Sequence, residues 1–202
     1  MKSSINSKRI GVLMGGPSRE RDVSVRSGTA VCNALENSGI KPVRLELIKD
    51  SALNGYKEKV TELIRSSRIE VAFIALHGEF GEDGSIQDIL EKLNIPYTGS
   101  KTEASMSGMD KVRSKAIFVS NNIPTPRYWV IGKKERGFAG ISGLINELGM
   151  PLVIKPSNEG SSIGLSIIDS ESEFDKALDA ALPARPLAAI GIPQYRPAPV
   201  KL

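Results

Sequence analysis

Apolar and polar residues fall in blocks along this chain, and the period of their alternation changes from block to block. Residues 10–14 are a continuous apolar run ending in Gly15-Gly16-Pro17-Ser18, the pattern of a buried parallel strand feeding a turn. From Asp22 the apolar or small positions Val23, Ala30, Val31, Ala34 and Leu35 recur near helical spacing, and Gly39 supplies a stop. Residues 42–48 alternate as a strand through Val43, Leu45 and Leu47, and residues 56–67 place Val60, Leu63 and Ile64 on one helical face. Residues 71–76 are apolar throughout; beyond His77 to Gly84, the positions Ile86, Ile89, Leu90 and Leu93 follow the spacing of a helix face. Strand and helix alternate three times, which predicts an α/β fold with a parallel sheet, helices on both faces, and ligands beyond the C-terminal strand ends.

A turn-rich segment at 94–100 closes this domain, expected to span residues 1–103. A second unit, 104–182, is predicted to hold a helix over 110–121, a strand over 127–131, a helix over 141–148, a strand over 152–154 and a paired strand over 162–168. Ser170-Glu171-Ser172-Glu173 reads as a capping box opening a helix through Phe174, Leu178 and Leu182. Residues 183–202 differ in kind: five of the chain's 12 prolines lie there, and an irregular end is expected.

The chain has 202 residues, 40% of them hydrophobic, enough for one large or two small cores. Its apolar runs are far shorter than the roughly 20 residues that cross a bilayer, and residues 1–9 lack the apolar core of a secretory signal. A cytoplasmic protein with no membrane partner is expected. Cys32 is the lone cysteine, which excludes a disulfide framework and a Cys-based zinc site, and its place in the helical pattern assigns it to the core. With a single histidine, any metal falls to carboxylates and is hard, magnesium or manganese. The formal charge of +4 points first to nucleic acid, but Arg185, Arg196 and Lys201 in the acid-free tail carry most of it and leave the body at +1. With aromatic residues at 5%, no nucleic-acid partner is expected.

Four stretches carry candidate chemistry. In Lys155-Pro156-Ser157-Asn158-Glu159-Gly160-Ser161-Ser162-Ile163-Gly164, a buried strand delivers one lysine beside a loop of small residues. Backbone N–H groups of Gly160, Ser161 and Ser162 can approach phosphate closely, while Lys155 counters its charge. The order is not that of a Walker A loop, and an ordinary hairpin loop is the alternative. Gly15 through Ser24 offers a glycine turn, Glu20 and hydroxyls at a helix N-terminus, suited to a small zwitterion whose ammonium Glu20 would hold; alternatively Glu20 and Asp22 only complement the helix dipole. His77 sits at a strand end where ligands gather and could bond substrate, a structural histidine being the alternative, ahead of Glu79, Glu82 and Asp83, whose glycine neighbours suggest turn geometry rather than a metal cluster. Lys111 falls in the first turn of a helix, an unfavourable place for a cation that either an anion or a salt bridge to Asp110 or Glu103 would relieve.

Taken together, Gly15-Gly16 through Ser24, His77-Gly78 with Gly81-Glu82-Asp83-Gly84, Met109-Asp110-Lys111 with Lys115, and Lys155-Pro156-Ser157 through Gly164 resemble the D-alanine-D-alanine ligase family, of the ATP-grasp superfamily, from about Arg9 to Leu182. The resemblance implies a Rossmann-like N-terminal sheet followed by part of an α+β ATP-grasp central domain. It implies ATP-dependent phosphorylation of one D-alanine and attack on the acyl phosphate by the amine of a second, for peptidoglycan synthesis. Glu20 would hold the first D-alanine's ammonium with His77 nearby, and Ser161 would join Glu20 in a network steadying a loop over the site. Lys111 and Lys155 would meet ATP phosphates, and Mg2+ would be required, its ligands lying outside this chain; a homodimer is a family expectation.

Beyond Leu182 the sequence matches nothing expected of the family, so the chain by itself is expected to turn over little, with a non-catalytic module binding a small amino acid or nucleotide as the alternative. A frameshift would account for the change. The other two reading frames of the coding DNA past Leu182 are expected to show an acidic, ligase-like continuation, and sequencing that DNA checks it.

Overall fold

The computed structural model describes residues 5, 7–49, 55–132 and 141–182, together with the backbone of 187–191. It divides into two compact units, 1–107 and 108–202. The divide falls later than residue 103 because a helix not foreseen from the sequence, Thr102–Met109, runs across it. That helix buries no residue, so it has no apolar stripe to give it away.

The first unit is built on β1 (Ile10–Gly15), α1 (Arg21–Asn37), β2 (Val43–Leu47), α2 (Tyr56–Ser67), β3 (Val71–Ile74) and α3 (Ser85–Lys92), followed by α4 (Thr102–Met109). The strands form a parallel sheet in the order β2-β1-β3, with Leu13 opposite Leu45 on one side and Ile74 on the other. Every residue of β1 is buried, because both faces are covered. Leu13 joins Leu45, Leu47, Val60, Ile64, Ile86 and Leu90 in the core under α2 and α3. Val12 and Met14 point the other way, packing with Cys32 of α1 and Ala75. Cys32 is fully buried, and desolvation pushes its thiol above the usual range, as a core residue rather than a nucleophile.

The inward face of α1 differs from the expected one. Val23 is exposed, as are Ala30 and Ala34, while Ser24, Gly28 and Cys32 are buried and Val31 and Leu35 partly so. Small residues face inward because the helix lies so close to β1: a Cβ on Gly28 would stand 2.6 Å from the Cβ of Met14. On α2, likewise, Leu63 is exposed and Tyr56 takes a core place, its ring edge-on to Phe80 at 4.9 Å between centroids.

The second unit holds α5 (Lys111–Ser120), β4 (Tyr128–Gly132), α6 (Ile141–Leu148), β5 (Leu152–Pro156), β6 (Ser166–Ile168), a 3-10 turn (Glu171–Glu173), α7 (Phe174–Ala181) and β7 (Leu187–Gly191). Its sheet is antiparallel, in the order β4-β7-β5-β6. Leu144, Leu148, Leu152, Ile154, Ile168, Phe174 and Leu178 form its core beneath α6 and α7. The capping box is present: Ser170 accepts from the Glu173 backbone while Glu173 accepts from Ser170.

Two expectations are corrected here. The strand foreseen over 162–168 is only Ser166–Ile168, because Ser161, Ser162 and Gly164 all have positive φ and keep the preceding residues in turns. The tail expected to be irregular contributes β7, which pairs with β4 through Ala189 opposite Val130 and with β5 through Ala189 opposite Lys155. Its run Leu-Ala-Ala-Ile-Gly lies between prolines and supplies ladder groups that two neighbouring strands otherwise lack. The rest of 183–202 lies outside the described residues.

Replacing Gly28 with valine forces a branched side chain against that of Met14 in β1, an overpacking worth about 1–3 kcal/mol that outweighs glycine's poorer helix propensity. G28V is therefore expected to lower the first unit's stability by about 2 kcal/mol, read as a lower urea midpoint at unchanged slope.

Candidate active site

Two loops leave the C-terminal ends of the neighbouring strands β1 and β3, and buried Ser24 ties those ends together. Its Oγ accepts from Gly15 N at 2.8 Å and donates to Ala75 O at 2.8 Å. That hydroxyl is therefore spent on the scaffold and not offered to a ligand, as the sequence pattern had suggested. Gly15 and Gly16 turn the first loop at φ of +81° and +88°, a region side chains disfavour, and Arg21 donates to Gly16 O and Leu47 O while pairing with Glu46.

Glu20 stands at the N-cap of α1, yet its side chain makes no capping hydrogen bond. A carboxylate at that place complements the dipole of α1 without a hydrogen bond. The Glu20 carboxylate also lies against the second loop: a Cβ on Gly78 would meet Glu20 Oε2 at 2.8 Å and Ser18 Oγ at 2.5 Å. Only glycine fits there, at φ +65°. His77, one residue earlier, contacts Ser27 Oγ through Nε2 at 3.2 Å and Glu82 through Nδ1 at 3.6 Å. Glu82 and Asp83 are committed to loop geometry: Glu82 accepts from Gly78 N, and Asp83 accepts from Phe80 N and Ser85 N. The structure thus brings Glu20 and His77 to one place in the first unit. Ser27 was missed by sequence reading; its only signal is that it follows Glu20 by seven residues, two helical turns along the same face.

The second unit gathers cations. Asp110 caps α5, accepting from Val112 N and Arg113 N, so its carboxylate is not the salt-bridge partner of Lys111. Lys111 answers its helix-start position differently, donating from Nζ to the carbonyls of Ser157 and Glu159, while its backbone N–H donates to Ser157 O. It therefore holds the loop as well as standing beside it. Lys115, one turn on, donates to Thr125 Oγ1 and Pro126 O and lies 4.7 Å from the centre of the Tyr128 ring. Burial, and then the positive charge of Lys155, hold both Lys111 and Lys115 below the ordinary lysine range. Glu159 and Asp110 offset this only in part for Lys111.

The loop itself is strained at two serines, Ser161 at φ +46° and Ser162 at φ +62°, conformations that L side chains seldom adopt. Gly160 O accepts from Ile163 N, and Gly164 packs so tightly that a Cβ would meet Pro156 Cγ at 2.9 Å and Ala180 O at 3.0 Å. Lys155, Gly160, Ser161 and Ser162 are thus brought together with Lys111. Two desolvated ammonium groups, each under the positive charge of Lys155, beside a strained small-residue loop favour an anion. Among the described residues no three His, Cys, Asp or Glu side chains gather as a metal site.

Two family models match the chain: the D-ala D-ala ligase N-terminus over residues 48–100 and the D-ala D-ala ligase C-terminus over residues 117–186. A D-alanine-D-alanine ligase from Desulforudis audaxviator is 44% identical over 176 residues, which are 87% of this chain and 54% of that protein. The chain belongs to the D-alanine-D-alanine ligase family. It spans about half the length of the curated relatives it matches. The likeness extends to residue 186, past Leu182, where it was expected to stop. Among solved structures, the D-alanine-D-alanine ligase from Bacillus anthracis matches with a TM-score of 0.78 and 33% identity, over 92% of this chain and 57% of that one. The same enzyme complexed with ATP matches with a TM-score of 0.73 and 33% identity, over 92% of this chain and 58% of that one.

Removing the charge of Lys155 relieves Lys111 and Lys115. In anion-free protein at low salt, Lys155→Gln is expected to stabilise the second unit by about 0.5 kcal/mol, the size of an exposed charge interaction. Lysines depressed in the folded state penalise it while charged, so the gain is largest at neutral pH and fades as pH rises through their lowered range. Urea unfolding at several pH values, with and without high salt, checks both dependences.

Proposed function

We propose that this chain carries the amino-acid and nucleotide subsites of an ATP-dependent D-alanine-D-alanine ligase. The reading rests on the desolvated Lys111 and Lys115, with Lys155 close enough to press on both, beside the strained Ser161-Ser162 loop, in a chain of this family. The second unit is read as part of an ATP-grasp central domain, with the lysines and the backbone of Gly160, Ser161 and Ser162 taking the phosphates. In the first unit, Glu20 takes the ammonium of the first D-alanine, with His77 beside it.

In the reaction so proposed, the γ-phosphoryl group of ATP passes to a D-alanine carboxylate oxygen, giving an acyl phosphate and ADP. The amine of a second D-alanine then attacks the carbonyl carbon, phosphate leaves with the C–O electron pair, and the amine's proton goes to solvent. Loose phosphoryl transfer is catalysed chiefly by positioning and by neutralising charge, and fixed lysines beside a braced loop supply both without reorganising. Family expectation adds Mg2+, for which the described residues offer no acidic cluster. A cytoplasmic setting and a homodimer belong to the same reading; among the described residues no helix is long and apolar enough to cross a membrane.

Calorimetry with ATP and with D-alanine tests it. ATP is expected to bind with proton uptake at alkaline pH, as the lowered lysines regain their protons beside phosphate, and affinity is expected to fall as pH climbs through that lowered range. Lys155→Gln is expected to weaken ATP binding about tenfold to a hundredfold; unchanged affinity would remove the lysine trio from the nucleotide site. Phosphate release on the same sample checks the expectation of little turnover, and release at an intact ligase's rate removes it.

A further inference from the structure

Helix α3 turns Ile86, Ile89 and Leu90 into the core of the first unit, and with them Gln87, a polar side chain only 5% exposed. Its Nε2 donates to Gly81 O at 2.8 Å, while its Oε1 is buried with no partner among the described residues. The amide cannot be turned round, since Oε1 would then face a carbonyl oxygen. An unpaired buried acceptor is unfavourable, and an apolar side chain in its place would carry none. What the amide adds is therefore the donor to Gly81 O.

That carbonyl and Glu82 N belong to one planar peptide, whose C=O and N–H point in opposite directions. Holding the oxygen aims the N–H, which donates to Gly78 O at 2.9 Å. Glu82 closes the turn by accepting from Gly78 N at 3.0 Å, and Gly81 packs directly on Leu76, where a Cβ would stand 2.6 Å from Leu76 Cβ. Packing limits how near Gly81 comes; the hydrogen bond fixes which way its peptide faces. Gly78, held at both its N–H and its carbonyl, is the residue that abuts the Glu20 carboxylate.

We propose that Gln87 is a positioning residue for the amino-acid subsite: from within the core it orients the 81–82 peptide, and through it sets where Gly78 stands against Glu20. The inference rests on reading Glu20 as the ammonium site of an amino-acid ligand.

Amide hydrogen exchange reads the turn without any ligand. Gln87→Met keeps the length and removes the donor, and is expected to speed exchange at Glu82 N–H about threefold to tenfold, the value of one hydrogen bond. Gln87→Glu separates the hydrogen bond from packing. Burial raises the carboxyl's pKa, and while neutral its O–H donates to Gly81 O; once ionised it only accepts. Each rate is taken relative to the unmodified protein at the same pH, which cancels the titration of Glu20, His77, Glu82 and Asp83. For Gln87→Glu that ratio is expected to lie near one in mild acid and to climb as pH rises. D-alanine affinity in the calorimeter is expected to follow: about threefold to tenfold weaker in Gln87→Met at every pH, and weaker in Gln87→Glu only as it ionises. ATP affinity is expected to be unchanged in both. Glu82 exchange unmoved by Gln87→Met, a Gln87→Glu ratio that does not vary with pH, or D-alanine affinity that holds while the turn loosens overturns the proposal. A turn that loosens as described, in a chain that binds no D-alanine even unmodified, overturns the Glu20 reading instead.

Discussion

The buried hydroxyl of Ser24 joins the ends of two strands: it accepts from the last residue of β1 and donates to the carbonyl just past β3. Parallel neighbours need not end level, and nothing in a β ladder makes their exit loops meet. A fully buried bridge does, because leaving Gly15 N or Ala75 O unpaired in that setting costs on the order of 1–3 kcal/mol each. Everything proposed for the first unit follows from that junction. Gly78 can lean on Glu20 only if the two loops start side by side, and His77 can reach Ser27 only if α1 begins where Ser24 anchors it.

The second unit solves a different problem, holding positive charge close where Glu159 and Asp110 offset it only in part. Carbonyl oxygens do the work: Ser157 and Glu159 for Lys111, Pro126 for Lys115, with the Tyr128 ring adding its face. These are dipoles, not charges, so they hold the ammonium groups in place while leaving the local field positive. A carboxylate in their stead would pair with the lysines and spend the attraction that an incoming anion requires.

The order of elements in the first unit was legible because β1 and β3 are covered on both faces and their apolar runs show it. The inward face of α1 was not, since hydrophobic periodicity counts Val23 and overlooks Ser24 and Gly28, which are inside because they are small. Helix α4 has no apolar stripe and left no periodic trace. Lys111 stood out as a cation at the wrong helix end, yet its partners are backbone carbonyls 46 and 48 positions away, which no side-chain pattern records. Glu20, His77 and Lys155 were found from strand-end logic; that Glu20 meets Gly78 needed the fold. The small size of the strained serines is plain in the sequence, whereas their left-handed backbone shows only in three dimensions.

The strand β7 is the latest element of the second sheet in sequence and sits between β4 and β5, the earliest two. During synthesis both of those strands must therefore wait, each with one side unpaired, for a partner delivered after the intervening helices. The first unit, by contrast, lays its central strand down first and adds a neighbour to either side. Long-range pairing of this kind is slow and leaves open edges that invite other chains. The two units thus carry different kinetic risks within one polypeptide: the first assembles around a template already made, while the second is the step at which misassembly, aggregation or a chaperone's attention would fall.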